Sequence, residues 1–286
     1  MKKLSLIAAS VGLLAALALG GCGSQPQATG GEAAGASDSA NAKVIRFGAS
    51  AGPYSDMVKK AIAPILEKKG YQVELTEFGD YVQPNLALAE GSLDANLFQH
   101  EIYLKKFAAD KNLQLSSVIN VPTGPMGIYS KTFKSIAEIT DGATIALPND
   151  PANLARALGI LEQNGLITIK EGTDPLTVSE KDIAENKKNL KITPVEAAQL
   201  PRALDGQDIS VVPGNFALAA KMDLNSALAL EEMPEHYLNL VAVKTADLDK
   251  PFVKDIKEAI ESKEFEAVID EQFKGFFKPE WMKNRK

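Results

Sequence analysis

Short apolar runs of the strand type alternate with amphipathic helical segments along most of this chain, and this alternation limits its fold more than any other feature. A run at residues 44–48 ends in glycine, and residues 55–69 repeat apolar side chains at helical spacing. Comparable pairs recur as far as residue 276. Strands that alternate with helices indicate an α/β protein with largely parallel sheets.

The individual elements can be read from this pattern. Strands are predicted at residues 44–48, 71–75, 93–98, 143–147, 190–195, 209–212 and 238–243. Helices are predicted at residues 55–69, 85–90, 101–111, 151–164, 198–204 and 251–276. Ser55 or Asp56 is expected to cap the first helix, and Asn149 or Asp150 the one that starts at Pro151. The last helical segment is expected to bury Ile256, Ile260, Val268 and Ile269.

The first 22 residues have the pattern of a secretory signal that ends at a lipidation site. Two lysines precede an apolar run at residues 4–19, and Cys22, the only cysteine of the chain, follows two glycines. The run is shorter than the roughly 20 residues that span a bilayer. We interpret residues 1–21 as a signal peptide and 22–42 as a lipidated flexible linker without apolar periodicity. An uncleaved anchor helix is the alternative, and the glycines around Cys22 disfavour it.

The charge of the chain argues against nucleic acid as a partner. It has 31 Lys and Arg against 37 Asp and Glu, and removal of the two lysines in the signal leaves 29 against 37, a formal charge of −8. Nucleic-acid binding normally needs a basic face, and no Lys/Arg cluster is interleaved with aromatic residues. Solubility alone is a sufficient explanation of the acidity. We expect an exported monomer that reaches the membrane through its lipid.

Two stretches rich in turn-forming residues, at 122–125 and 233–239, are candidate crossings between two sheets. They divide the body into a first lobe at residues 43–124 and 240–286 and a second lobe at 125–239. Strand ends and helix N-termini of two α/β lobes point into the cleft between them. A small-molecule ligand is therefore expected in that cleft.

Motifs for covalent or cofactor chemistry are absent from the sequence. It has no phosphate-binding loop, no GxSxG elbow and no CxxC pair, and its two histidines exclude a three-histidine zinc site. Asp94, His100 and Glu101 are the remaining metal-ligand candidates, but a dedicated site needs more nitrogen or sulfur ligands. We expect no enzyme activity, no metal and no cofactor.

Two segments carry the candidate binding residues. Phe98, His100 and Tyr103 place three rings within six residues after a strand, and they fit either a core or a ligand site. Asn153 and Arg156 are three residues apart near a predicted helix N-terminus, so they share one face. An arginine there is either solvated or able to grip a carboxylate with two parallel hydrogen bonds.

The order of several motifs resembles the methionine-binding lipoprotein (NlpA) family over nearly all of residues 43–286. The motifs are Gly52-Pro53-Tyr54, Asp80-Tyr81-Val82-Gln83-Pro84-Asn85, Asp94-Ala95-Asn96, Phe98-Gln99-His100, Pro148-Asn149-Asp150-Pro151 with Asn153 and Arg156, Gln199-Leu200-Pro201-Arg202 and Tyr237-Leu238-Asn239-Leu240. This family consists of substrate-binding lipoproteins that deliver methionine or related compounds to the permease of an ABC importer. The resemblance implies two α/β lobes around a ligand cleft, and a binding role rather than catalysis.

The resemblance also implies roles for single residues. Tyr81, Phe98, His100 and Tyr103 match positions that enclose the ligand side chain. Arg156 matches the residue that pairs with the α-carboxylate, with Asn153 beside it, and Asn239 matches an asparagine that holds the head group.

One departure from the family pattern concerns Pro213, where many members carry an asparagine. Proline has neither a side-chain amide nor a backbone donor. Either Pro213 only shapes the turn and Asn215 serves in place of that asparagine, or the head-group site is altered. In an altered site the ligand is L-methionine held by fewer contacts, D-methionine, a methionine-containing dipeptide or another small amino-acid derivative. A surface lipoprotein with an adhesion or signalling role, and an exported hydrolase that uses His100, are the rival functions.

Overall fold

The structure is a computed structural model, and it describes residues 43–284. The predicted signal peptide, the lipidation site at Cys22 and the linker lie outside the described residues. Within residues 43–284, no helix is long and apolar enough to cross a membrane.

In the described residues, twelve strands form two five-stranded sheets and one hairpin. The first sheet has the order β2-β1-β3-β12-β4, the second has the order β11-β5-β10-β6-β9, and β7 pairs with β8. The strands are β1 (Lys43–Ser50), β2 (Tyr71–Phe78), β3 (Ala95–His100), β4 (Leu115–Asn120), β5 (Gly127–Tyr129), β6 (Thr144–Pro148), β7 (Ile167–Ile169), β8 (Ile183–Asn186), β9 (Lys191–Val195), β10 (Ile209–Val212), β11 (Ala229–Leu230) and β12 (Asn239–Lys244).

Helices cover both sheets, so the molecule has two α/β lobes with a cleft between them. The helices are α1 (Pro53–Met57), α2 (Ala63–Lys68), α3 (Gln83–Glu90), α4 (Glu101–Lys111), α5 (Pro151–Gln163), α6 (Leu200–Ala203), α7 (Gly214–Ala219), α8 (Pro251–Ile260), α9 (Lys263–Gln272) and α10 (Glu280–Lys283). A π-helical turn at Val58–Ile62 joins α1 to α2. Pro64 follows it and has no N–H to donate to the preceding turn, which favours this local widening.

Each lobe has its own apolar core. Alternate residues of β1, such as Ile45 and Phe47, point into the first core together with Ile256 and Ile260 of α8. The second core includes Ile145 of β6 and residues of α5. One prediction about a helix end is wrong: Gly52, not Ser55 or Asp56, is the N-cap of α1. The mostly helical segment predicted at 251–276 consists of α8 and α9, and Ser262 caps α9 by accepting a hydrogen bond from the Phe265 N–H at 3.0 Å.

The prediction of largely parallel sheets is wrong, because both sheets are mixed. Strand β1 runs parallel to β2 and β3, but β12 runs antiparallel to β3 and β4. In the second sheet β10 is parallel to β6 and antiparallel to β5. The chain enters the second sheet after β4 and returns at β12, and the returning strand is the one that runs antiparallel.

The two connections between the sheets are held together beside the cleft. The backbone N–H of Val121 donates to the Asn239 carbonyl at 2.7 Å, and the Asn239 N–H donates to the Thr123 hydroxyl at 2.7 Å. Thr123 also exchanges two backbone hydrogen bonds with Phe277 of the C-terminal segment. The crossings are therefore fixed side by side and tied to the first lobe.

Candidate functional site

A narrow cavity with about 10 Å³ of free volume lies where the end of β3 and the start of β12 meet the starts of α5 and α7. All eight residues expected to bind ligand lie in its wall: Tyr81, Phe98, His100, Tyr103, Asn153, Arg156, Asn215 and Asn239. Its wall also contains Pro213, the departure from the family pattern, and five residues that were not expected there: Tyr54, Gln99, Thr123, Gly124 and Gly214.

Aromatic rings form one side of the cavity. The Tyr81 ring lies 5.7 Å from Phe98 and 5.9 Å from Tyr103, between ring centroids, and 4.9 Å from Phe216 of α7. The Tyr103 hydroxyl donates to the Tyr81 carbonyl at 2.9 Å, which fixes both rings. Burial raises the pKa of both phenols, so they stay neutral. Such an apolar wall suits a flexible aliphatic or thioether chain.

The geometry of His100 defines its tautomer. Its Nδ1 accepts a hydrogen bond from the Tyr103 N–H at 3.2 Å, as the N-cap of α4, so Nε2 carries the proton. Nε2 lies 3.2 Å from the amide oxygen of Asn153. Burial, followed by the nearby charge of Arg156, lowers the pKa of His100 to about 3. Both ring nitrogens are engaged and the ring is neutral, which gives no support to a hydrolase with His100 as its base.

Asn153 and Asp150 are fixed by the start of α5. The Asp150 carboxylate is the N-cap and accepts from the Asn153 backbone N–H at 2.9 Å, as expected for one of the two predicted caps. It also accepts from the Asn153 side-chain amide at 3.1 Å and 3.2 Å. This leaves the amide oxygen directed at His100. Burial raises the pKa of Asp150.

Arg156 is buried and already paired with a partner that the sequence reasoning missed. Its Nε donates to Glu231 Oε2 at 2.8 Å and its Nη2 donates to Glu231 Oε1. The side chains are 5% and 3% exposed. Burial opposes the charge on Arg156, but the charge and hydrogen bonds of Glu231 outweigh it and raise the pKa of the guanidinium. Its central carbon also lies 5.0 Å from the ring centroid of Tyr237.

Asn215 presents an unpaired donor in the cavity wall. Its amide oxygen accepts from the Tyr81 hydroxyl at 2.6 Å, but its amide nitrogen, fully buried, has no hydrogen-bond partner among the described residues. A buried donor without a partner is costly, and a ligand oxygen would satisfy it. Pro213 is the N-cap residue of α7, and it brings Asn215 to the cavity from the second position of that helix.

Asn239 completes the wall at the crossing between the lobes. Its side-chain nitrogen donates to the Phe98 carbonyl at 3.0 Å. The amide oxygen is then the group that it offers as an acceptor. Among residues 43–284, no group of three or more His, Cys, Asp and Glu side chains is arranged to hold a metal ion.

Comparison with known proteins gives the family. The profile described as NlpA lipoprotein matches residues 45–281. The chain belongs to this family. The D-methionine-binding lipoprotein MetQ of Salmonella typhi is 37% identical over 276 residues, which are 96% of this chain and 97% of that relative.

Solved structures of other proteins share this family fold. A nutrient-binding protein from Burkholderia cenocepacia bound to methionine has a TM-score of 0.77 and 43% identity, covering 81% of this chain and 97% of its own. An ABC transporter periplasmic substrate-binding protein from Coxiella burnetii also has a TM-score of 0.77, with 36% identity, covering 82% and 99%. These matches agree with the two-lobe fold of the residues described here.

Proposed function

We propose that this protein is an extracytoplasmic, lipid-anchored solute-binding protein that captures methionine or a close relative and delivers it to the permease of an ABC importer. The single observation that carries the proposal is the cavity, in which all eight expected residues converge and Asn215 has an unpaired donor. The names of the relatives support the same substrate class. D-methionine and a methionine dipeptide belong to that class.

The proposed ligand contacts follow from the chemistry of the wall. The thioether packs against Tyr81, Phe98 and Tyr103, which contributes about 1.5–3 kcal/mol. The carboxylate accepts from the free end of Arg156, which contributes about 1.5–3 kcal/mol, and from the Asn215 amide. The ammonium group donates to the Asn239 amide oxygen. Micromolar affinity needs about 8 kcal/mol, so these contacts act together.

The proposed mechanism is lobe closure without any bond made or broken. Residues 43–124 and 240–286 form one moving body and residues 125–239 the other, with the paired crossings as the hinge. Closure over the ligand presents a composite surface to the permease. In this proposal the signal at residues 1–21 is removed, Cys22 carries the lipid, and the monomer faces the outside of the cell membrane, or of an outer membrane in a host that has one.

The first experiment is native mass spectrometry of the detergent-solubilised full-length protein, followed by thermal-shift titration after unfolding and refolding. L-methionine, D-methionine and glycyl-methionine are the test ligands. A bound compound of matching mass, or a rise in melting temperature with one of them, is expected. A folded protein that responds to none of them contradicts the proposed substrate and favours an adhesion or signalling role.

The carboxylate contact has its own test. Wild-type protein is expected to bind methioninamide more weakly than methionine by at least about 1.5 kcal/mol, because the amide cannot accept a charge-assisted pair of hydrogen bonds. Arg156→Ala is expected to lose affinity for methionine by a similar amount. Arg202→Ala, an exposed arginine of the same lobe, is the matched control. Equal calorimetric affinity for the acid and the amide contradicts the role of Arg156.

A further inference from the structure

Arg156 lies in the wall of the candidate ligand cavity, and Glu231 lies behind that wall. The carboxylate of Glu231 is nevertheless paired with the guanidinium of Arg156. We infer that Glu231 is a specificity-determining residue: by neutralising Arg156 it makes the site select zwitterionic amino acids over monoanionic acids of the same shape. This inference rests on the proposed function, because it refines which ligands that same cavity accepts.

The Glu231 carboxylate is held independently of any ligand. Its Oε1 accepts from the Met126 backbone N–H at 2.6 Å, at the start of the second sheet, and both oxygens accept from Arg156. The side chain is only 3% exposed. Three donors fix the position of this carboxylate beside Arg156.

The groups around the cavity wall leave no excess positive charge for an anion. Within the described part of the chain, Arg156 is the cation of that wall. His100 is neutral, and so are the buried tyrosines. Glu231 balances Arg156, and Asp150, hydrogen-bonded to Asn153, is a further carboxylate behind the wall. A ligand with zero net charge adds no charge to these surroundings, whereas a monoanion adds a buried negative charge that nothing balances.

The pairing with Glu231 limits which edge of the Arg156 guanidinium can meet a ligand. A guanidinium has five N–H donors, and Glu231 occupies the edge formed by Nε and Nη2. The ligand carboxylate is left with the opposite end, around Nη1. It therefore meets a cation whose charge is already shared with Glu231. The ammonium group of an amino acid offsets the remaining repulsion from Glu231, and an acid without that group cannot.

The test compares two ligands that differ in charge but little in shape: methionine, and its hydroxy-acid analogue of the same configuration, in which a hydroxyl replaces the ammonium group. Calorimetry on the full-length, detergent-solubilised protein gives the affinity ratio of the two. Wild type is expected to prefer methionine by tenfold or more. Glu231→Gln keeps the acceptor for Met126 but removes the charge, and it is expected to reduce that preference at least tenfold, a change of about 1.4 kcal/mol.

Glu232→Gln is the matched control. It removes the same charge from the next residue, which is exposed. Its ratio is expected to equal that of wild type. A folded Glu231→Gln protein with an unchanged ratio, or with equal losses for both ligands, overturns the inference. Wild type that binds both ligands equally overturns it without any variant. Wild type that binds neither ligand also overturns it, and failure to bind D-methionine and glycyl-methionine as well overturns the proposed function, so the two failures are distinguishable.

Discussion

His100 is buried and neutral, so it makes the stability of the folded protein depend on pH by an amount that can be calculated. In the folded chain burial lowers the pKa of His100 to about 3, whereas an unfolded histidine titrates near its ordinary value of about 6.5. Between these values the unfolded chain binds a proton that the folded chain does not. The contribution of His100 to stability is therefore complete above about pH 6.5 and is lost as the pH falls toward 3.

The size of the effect follows from 1.36 kcal/mol per pH unit. Of the three pH units between pH 8 and pH 5, about 1.5 lie below the pKa of the unfolded histidine. The free energy of unfolding therefore falls by about 2 kcal/mol. His100→Asn is the informative variant, because an asparagine oxygen can accept from the Tyr103 N–H as a cap while the side chain does not titrate. Wild type is expected to lose about 2 kcal/mol more than this variant between the two pH values.

Urea unfolding of the ligand-free, refolded protein measures this difference, with the fluorescence of Trp281, the only tryptophan, as the probe. At a slope of about 2 kcal/mol per molar urea, the midpoint of wild type should move about 1 M further than that of the variant. His236→Asn is the control, because His236 is exposed and its substitution should change the pH dependence less. Equal pH dependence of wild type and His100→Asn would refute a buried neutral His100.

Three further substitutions test the site and its surroundings. Tyr81→Phe removes the donor to the Asn215 oxygen and should weaken ligand affinity by about 1–3 kcal/mol in calorimetry; unchanged affinity would speak against the contact. Gly214→Ala places a Cβ 2.4 Å from the Pro125 carbonyl oxygen and should lower the free energy of unfolding in urea by about 1–3 kcal/mol. A variant as stable as wild type would show that the crossing can shift. Ser262→Ala removes the α9 cap and should cost about 0.5–2 kcal/mol, with ligand affinity unchanged; altered affinity would contradict a purely local role.

Periodicity predicted the long elements of this fold and missed the short ones. Helix α5 has apolar residues at helical spacing and a cap with proline next to it, so its start at Pro151 was predictable. Strand β5 has three residues and β11 two, too few to show an alternation. Strand β4 contains two consecutive serines, Ser116 and Ser117, and they interrupt the alternation of apolar and polar residues that predicts a strand. The missed strands β4, β5 and β11 each pair with an antiparallel neighbour. Strand β12 was predicted, but its sequence does not show that it runs antiparallel, so parallel sheets were expected.

The candidate site was predictable where its residues are close in sequence and not where a partner is distant. The Phe98–Tyr103 segment and the α5 start are local patterns. Glu231 is 75 residues from Arg156, and only the packing of the second sheet brings them together. Nothing in spacing marks that glutamate. Tyr54 and Thr123 were passed over for a similar reason, since they enter the wall from the start of α1 and from a crossing.

The resemblance to the family implies an asparagine at the position of Pro213, and the structure has another amide two residues away. As the N-cap residue, Pro213 lacks a donor, but its fixed backbone angle suits the turn into α7. That turn carries Asn215 to the cavity, where the Tyr81 hydroxyl holds its oxygen and leaves its nitrogen unpaired. An amide donor is thus present in the wall, although it comes from two positions later. Because this donor is anchored by an aromatic residue of the other lobe, its position depends on closure, and so does the contact that we assign to the ligand carboxylate.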